Sequence, residues 1–92
     1  MFRVWGKLFK NNRMLKDITI ENPSMDMNRT SKVYAALDEI CYQFELSVPI
    51  WLDSNKRDFI KHDKTRFHQD NFIEAIDFDY LEFHVIEEDF FY

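Results

Sequence analysis

The chain reads as a small α+β domain: an antiparallel sheet of about three strands, in the order β-β-α-α-β, with one long helix packed on one face. Three observations predict it. Residues 76–88 alternate, with Leu81, Phe83 and Val85 on one side and Tyr80, Glu82, His84 and Ile86 on the other, which is the period of a strand. Residues 2–9 and 14–21 flank Asn11-Asn12, a pair that tolerates positive φ, and so read as a hairpin. Between the hairpin and the last strand, Val33, Leu37, Ile40, Cys41 and Phe44 recur on one face of a helix.

Taken in order, the first strand sends Phe2, Val4 and Leu8 to one side and Trp5 and Phe9 to the other. The second is rich in β-branched residues at Ile18, Thr19 and Ile20. A plain two-residue turn sets Lys7 opposite Lys16. A shift of one residue sets it against Asp17, and Gly6 is the expected site of the bulge that allows this. Pro23 and Ser24 open a loop over residues 22–28. A helix over about residues 30–45 follows, capped by Thr30 or Asn28, with Asp38, Glu39, Gln43 and Glu45 outward.

Pro49 bars its continuation, and Ile50-Trp51-Leu52 reads as an extended, buried anchor. Asp53 or Ser54 is expected to cap a short helix over residues 55–61, with Phe59 and Ile60 inward. Residues 64–71 are polar around one anchor, Phe67. Phe72, Ile73 and Ile76 then lead into the final strand as one helical turn or an extended run. That strand is expected beside the first, giving Arg3, Lys7 and Lys10 acidic neighbours. Trp5, Phe9, Ile18 and Ile20 are then out of phase with Val4, Leu8 and Leu15, so both sheet faces are apolar. One long helix covers one of them, and residues 50–76 or a partner chain must cover the other.

Composition narrows the function classes. One domain over residues 1–92, 46% apolar with ten Phe, four Tyr and two Trp, has material for a core and is not a disordered chain. The lone cysteine, Cys41, forms no internal disulfide, which fits a reducing compartment. The absence of a leader or a long apolar run makes a cytoplasmic, non-membrane protein the expectation. The single glycine, Gly6, excludes phosphate-cradling loops, dinucleotide fingerprints and nucleophile elbows, each of which needs several. The net charge of −5 is segregated: residues 1–34 and 56–68 are basic, residues 35–55 and 69–92 acidic. Blocks of this kind are expected to neutralise one another across strands.

The densest polar stretch lies at residues 61–70. His62 and His68 with Asp63 and Asp70 have the residue types of a metal or acid–base site. The histidines are six positions apart, which puts them on no common helix face, so a solvated loop is expected, with no metal, no cofactor and no catalytic residue. A small metal-assisted hydrolase is the enzyme reading that cluster allows. A binding patch of Trp51, Lys56, Arg57, Lys61, His62, Lys64, Arg66, Phe67 and His68 is the alternative: cations for phosphates and aromatics for bases. The overall acidity opposes it. Asn55, Asp58 and Arg66 with Trp51 would line a pocket under the short helix, although capping and ion pairing explain the same residues. Cys41 lies on the apolar helix face and reads as core. The resulting expectation is a non-enzymatic protein-interaction or regulatory module. It is expected to be a homodimer that uses the second sheet face and the 90–92 tail, or to bind another protein.

The stretches RVWGK, PIWLDSN and FDYLEFHVIEED, with ALDEIC in the helix, resemble a family of short uncharacterised bacterial proteins, function unknown, from anaerobic Gram-positive bacteria. The resemblance implies a stand-alone cytoplasmic protein and brings no catalytic motif.

Overall fold

In a computed structural model, which describes residues 1–89, the chain is α+β with a four-stranded antiparallel sheet and two helices. The strands are β1 (Phe2–Lys10), β2 (Arg13–Asn22), β3 (Lys64–Phe67) and β4 (Tyr80–Glu87), in the spatial order β2-β1-β4-β3. The helices are α1 (Arg29–Phe44) and α2 (Asp53–His62). The last strand does lie beside the first. A fourth strand, β3, stands where a polar irregular segment was expected, and the final strand starts at Tyr80 rather than at residue 76.

The hairpin turn is as its asparagines require: Asn11 and Asn12 both have positive φ, at 52° and 63°. Lys7 faces Asp17, so the shifted register is the one formed. The bulge is not at Gly6, however. Phe9 pairs with Met14 and Leu8 with Lys16, which leaves Leu15 as the extra residue. This corrects the phase of the second strand. Beyond the bulge, Ile18 pairs with Gly6 and Ile20 with Val4, so both join the face of Val4 and leave that of Trp5. Gly6 has a different task. A Cβ there would lie 2.8 Å from Cδ1 and Cγ2 of Ile40, so the missing side chain is what lets α1 settle on β1.

Asn28 caps α1, its Oδ1 accepting from Ser31 N at 2.8 Å, and Glu45 ends the helix in the left-handed region. Val33, Ala36, Leu37, Ile40, Cys41 and Phe44 are buried against Phe2, Val4 and Leu8 of β1 and Leu81, Phe83 and Val85 of β4. Neither Asp53 nor Ser54 caps α2; instead Leu52 N donates to Asn55 Oδ1 at 3.1 Å. Phe59 turns inward, but Ile60 is 85% exposed, and Ile50 and Leu52 flank an inward Trp51 with their own side chains in solvent.

Trp51 is the hub of this half of the core. Its ring meets Phe67, Phe59, Phe83 and Tyr34 edge-on at centroid distances of 5.0 to 6.4 Å, joining β3, α2, β4 and α1. Both helices therefore lie on one face. Residues 50–76 do not cover the second face, and the 90–92 tail expected to help cover it lies outside the described residues.

Leu37→Ala empties a site that is 1% exposed and is expected to cost about 2–5 kcal/mol in urea unfolding. A loss below about 1 kcal/mol would mean that α1 is not packed as described. Gly6→Ala is expected to cost about 1–3 kcal/mol through the clash with Ile40.

Candidate functional site: the open sheet face

On the face that carries neither helix, the registers arrange side chains in rungs across β2, β1, β4 and β3. One rung reads Asp17, Lys7, Glu82, Arg66; another reads Thr19, Trp5, His84, Lys64. A third carries Met14, Phe9 and Tyr80, with the His68 ring 5.4 Å from that of Tyr80. Towards the other end, Arg3 lies between Glu21 and Glu87. Signs alternate along the charged rungs, the arrangement cross-strand pairing favours.

Glu82 is the centre. Lys7 Nζ stands 2.7 Å from one carboxylate oxygen and Arg66 Nε 3.1 Å from the other. The carboxylate is buried on the face that carries neither helix, with the charged ends of Lys7 and Arg66 on either side of it. Lys7 Nζ sits 3.8 Å from the Trp5 ring centroid, and the Arg66 guanidinium 4.5 Å from that of Tyr80. Phe9 stacks on Tyr80 at 5.0 Å, and Trp5 Nε1 donates to Asp17 Oδ2 at 2.8 Å. Burial pushes the Glu82 carboxyl up, but the hydrogen bonds from Lys7 and Arg66 outweigh it and hold it below its usual value. Beside it, His84 is held below the ordinary histidine value by burial and by Lys7 and Lys64, against Glu82 and Asp63. Its buried Nδ1 has no hydrogen-bond partner among the described residues.

The patch expected from residues 51–68 is divided. His62, Lys64, Arg66 and His68 border a cavity of about 430 Å³ between α2 and β3, together with Asp58 and Asp70. Lys56 borders a different groove, of about 260 Å³, between α1 and α2. Arg57 and Lys61 are exposed elsewhere on α2. Phe67 is fully buried, whereas Trp51 is partly buried and borders the same groove as Lys56, its ring met edge-on by Tyr34, Phe59, Phe67 and Phe83. Among the described residues no group of three or more His, Cys, Asp or Glu is placed to hold a metal ion.

The cavity is the pocket expected from Asn55, Asp58 and Arg66, but without Trp51, and the part of Asn71 in its floor was not foreseen. Asn55 Nδ2 donates to Thr65 Oγ1 and Arg66 O, both at 2.9 Å, and Asn71 Nδ2 donates to Asn55 Oδ1 and Ile50 O. Two buried amides thus satisfy the carbonyls of Arg66 on β3 and Ile50 before α2, and Asn55 ties α2 to β3. An asparagine three residues into each turn, at 55 and 71, was the signal in the sequence. Cys41 is fully buried, its thiol pushed up to about 12 by burial and by Asp38, which makes it core rather than nucleophile.

At the far end of the sheet, Lys32 is buried with Nζ on Ser24 O and Asp89 Oδ2, and it holds the Asp89 carboxyl below its usual value. No helix among the described residues is long and apolar enough to cross a membrane. No family model, no curated protein and no solved structure matches the chain.

Because His84, Glu82 and Asp89 all have lowered values, each protonates more readily in the unfolded chain. Stability is therefore expected to be complete above about pH 6.5 and to fall with acid, first through His84 and then, below about pH 4.5, through Glu82 and Asp89. Urea midpoints measured from pH 8 to pH 3 check this, and His84→Gln should remove the upper part of the decline. A midpoint that rises between pH 7 and 5 would contradict it.

Proposed function

We propose that the chain is a non-enzymatic protein-interaction or regulatory module, working as a homodimer, with the open sheet face as its contact surface. One observation carries the reading: a four-stranded face bears Trp5, Phe9 and Tyr80 while both helices lie on the other side. The charges of its central rung, Asp17, Lys7, Glu82 and Arg66, balance, which suits a protein surface better than a polyphosphate, whose binding rests on uncompensated cations. Lys7 and Arg66 are both engaged by Glu82, and Arg3 by Glu21 and Glu87. The resemblance to short bacterial proteins adds no residue role to this reading.

Light scattering on the full chain at tens of micromolar is expected to give twice the 11.3 kDa chain mass. The single-chain mass would contradict it, and a version ending at Asp89 measures the share of the tail. DNA and RNA, single- or double-stranded, are expected to show no mobility shift at low salt. A shift that fades steeply with salt and with substitution of Lys56, Arg57 and Lys61 would move the reading to nucleic acid.

A further inference from the structure

The rungs of the open face complement themselves. We propose that the face binds the same face of a second copy, about a two-fold axis that runs parallel to the strands between β1 and β4. This deepens the interaction reading given above and rests on it. Such an axis returns each rung to its own level with its order reversed, so β2 of one copy lies over β3 of the other and β1 over β4. Because signs alternate across β2, β1, β4 and β3, reversal sets opposite against opposite. Asp17 meets the second copy's Arg66, Lys7 its Glu82, Arg3 its Glu87, and Phe9 its Tyr80.

The alternative axis, perpendicular to the strands, fails on the same registers. Placed on the charged rung it sets every charge over its own copy; half a rung towards Trp5 it sets Arg66 over the second copy's Lys64, and half a rung towards Phe9 it sets Lys7 and Glu82 over Phe9 and Tyr80, with no opposite charge to meet. Asp17 and Arg66 carry the argument for a second copy. They stand on β2 and β3, the two opposite edges of one sheet, about 14 Å apart at ordinary strand spacing, so their complementarity is usable only between chains. Desolvation, the usual objection to charged interfaces, is small for Glu82, which is already 5% exposed in the single chain. Three strands of eight or more residues and a fourth of four span roughly 19 Å across and up to about 25 Å along, at the low end of an isologous contact.

Three samples test it: Asp17→Arg alone, Arg66→Asp alone, and the two mixed in equal amounts, each checked for folding by circular dichroism. Each variant alone sets like charges together twice about the axis and is expected to run at the single-chain mass. In the mixture every new charge meets its opposite, and the doubled mass is expected to return. Two-fold mass in both single variants would overturn this face and leave a homodimer joined elsewhere. A wild-type chain of single mass would overturn the interaction reading itself. Folded single variants whose mixture stays at single mass would overturn the axis. If either variant fails to fold, Thr19→Cys and Lys64→Cys chains replace them. A bismaleimide of about 10 Å span, close to the spacing of packed sheets, is then expected to join one to the other and not two Thr19→Cys chains together. The reverse pattern would overturn the axis.

Discussion

The Glu82 carboxylate lies in the middle of a sheet face that neither helix covers, and it is nonetheless out of water. That is tolerable only because two cations reach it from the strands on either side, Lys7 from β1 and Arg66 from β3. The consequence is geometric. A carboxylate held from both sides fixes the order β1-β4-β3 and the level of each strand, since a slip of one residue would turn Glu82 into the apolar core and Phe83 out of it. The same two cations set their charged ends over the Trp5 and Tyr80 rings, so the aromatics of this face are shielded in part without a second layer. The open face is thus a consequence of how one buried charge is answered.

The other face follows from the opposite logic. Phe83, Phe67, Phe59 and Trp51 form an apolar hub, and the missing side chain of Gly6 lets Ile40 approach β1 closely enough to close the core over it. Burial there is driven by apolar area, with the Asn55–Asn71 amides supplying the few polar partners the edge of β3 needs. One sheet therefore carries two kinds of surface, one that excludes water by packing and one that arranges charge.

Much of this was legible in the residues. The alternation around Leu81, Phe83 and Val85, the helix through Val33 and Phe44 and the Asn11-Asn12 turn follow from local period, whereas the hairpin register stayed open between Lys16 and Asp17 as the partner of Lys7. What escaped was set by tertiary context. Lys64-Thr65-Arg66-Phe67 is only four residues long and half polar, and it becomes a strand because Phe83 and Glu82 wait beside it. The bulge at Leu15 reverses the phase of Ile18 and Ile20, and neither residue announces it. Ile60 looked like core and is in solvent, because a ten-residue helix docked through Phe59 buries one narrow stripe. The polar patch at 51–68 was legible as residue types but not as a site, because the end of α2 sends its members to different surfaces.

The open face is shielded in part by its own side chains, and a second copy is proposed to close it. The most direct measurement follows the Trp5 indole N–H and the Phe9 and Tyr80 ring signals by NMR with a soluble paramagnetic agent, as the concentration is raised through the mass transition. The account predicts that relaxation of these signals falls with concentration while that of Ile60, on α2, stays constant. Unchanged relaxation of Trp5, Phe9 and Tyr80 while the mass doubles would contradict it.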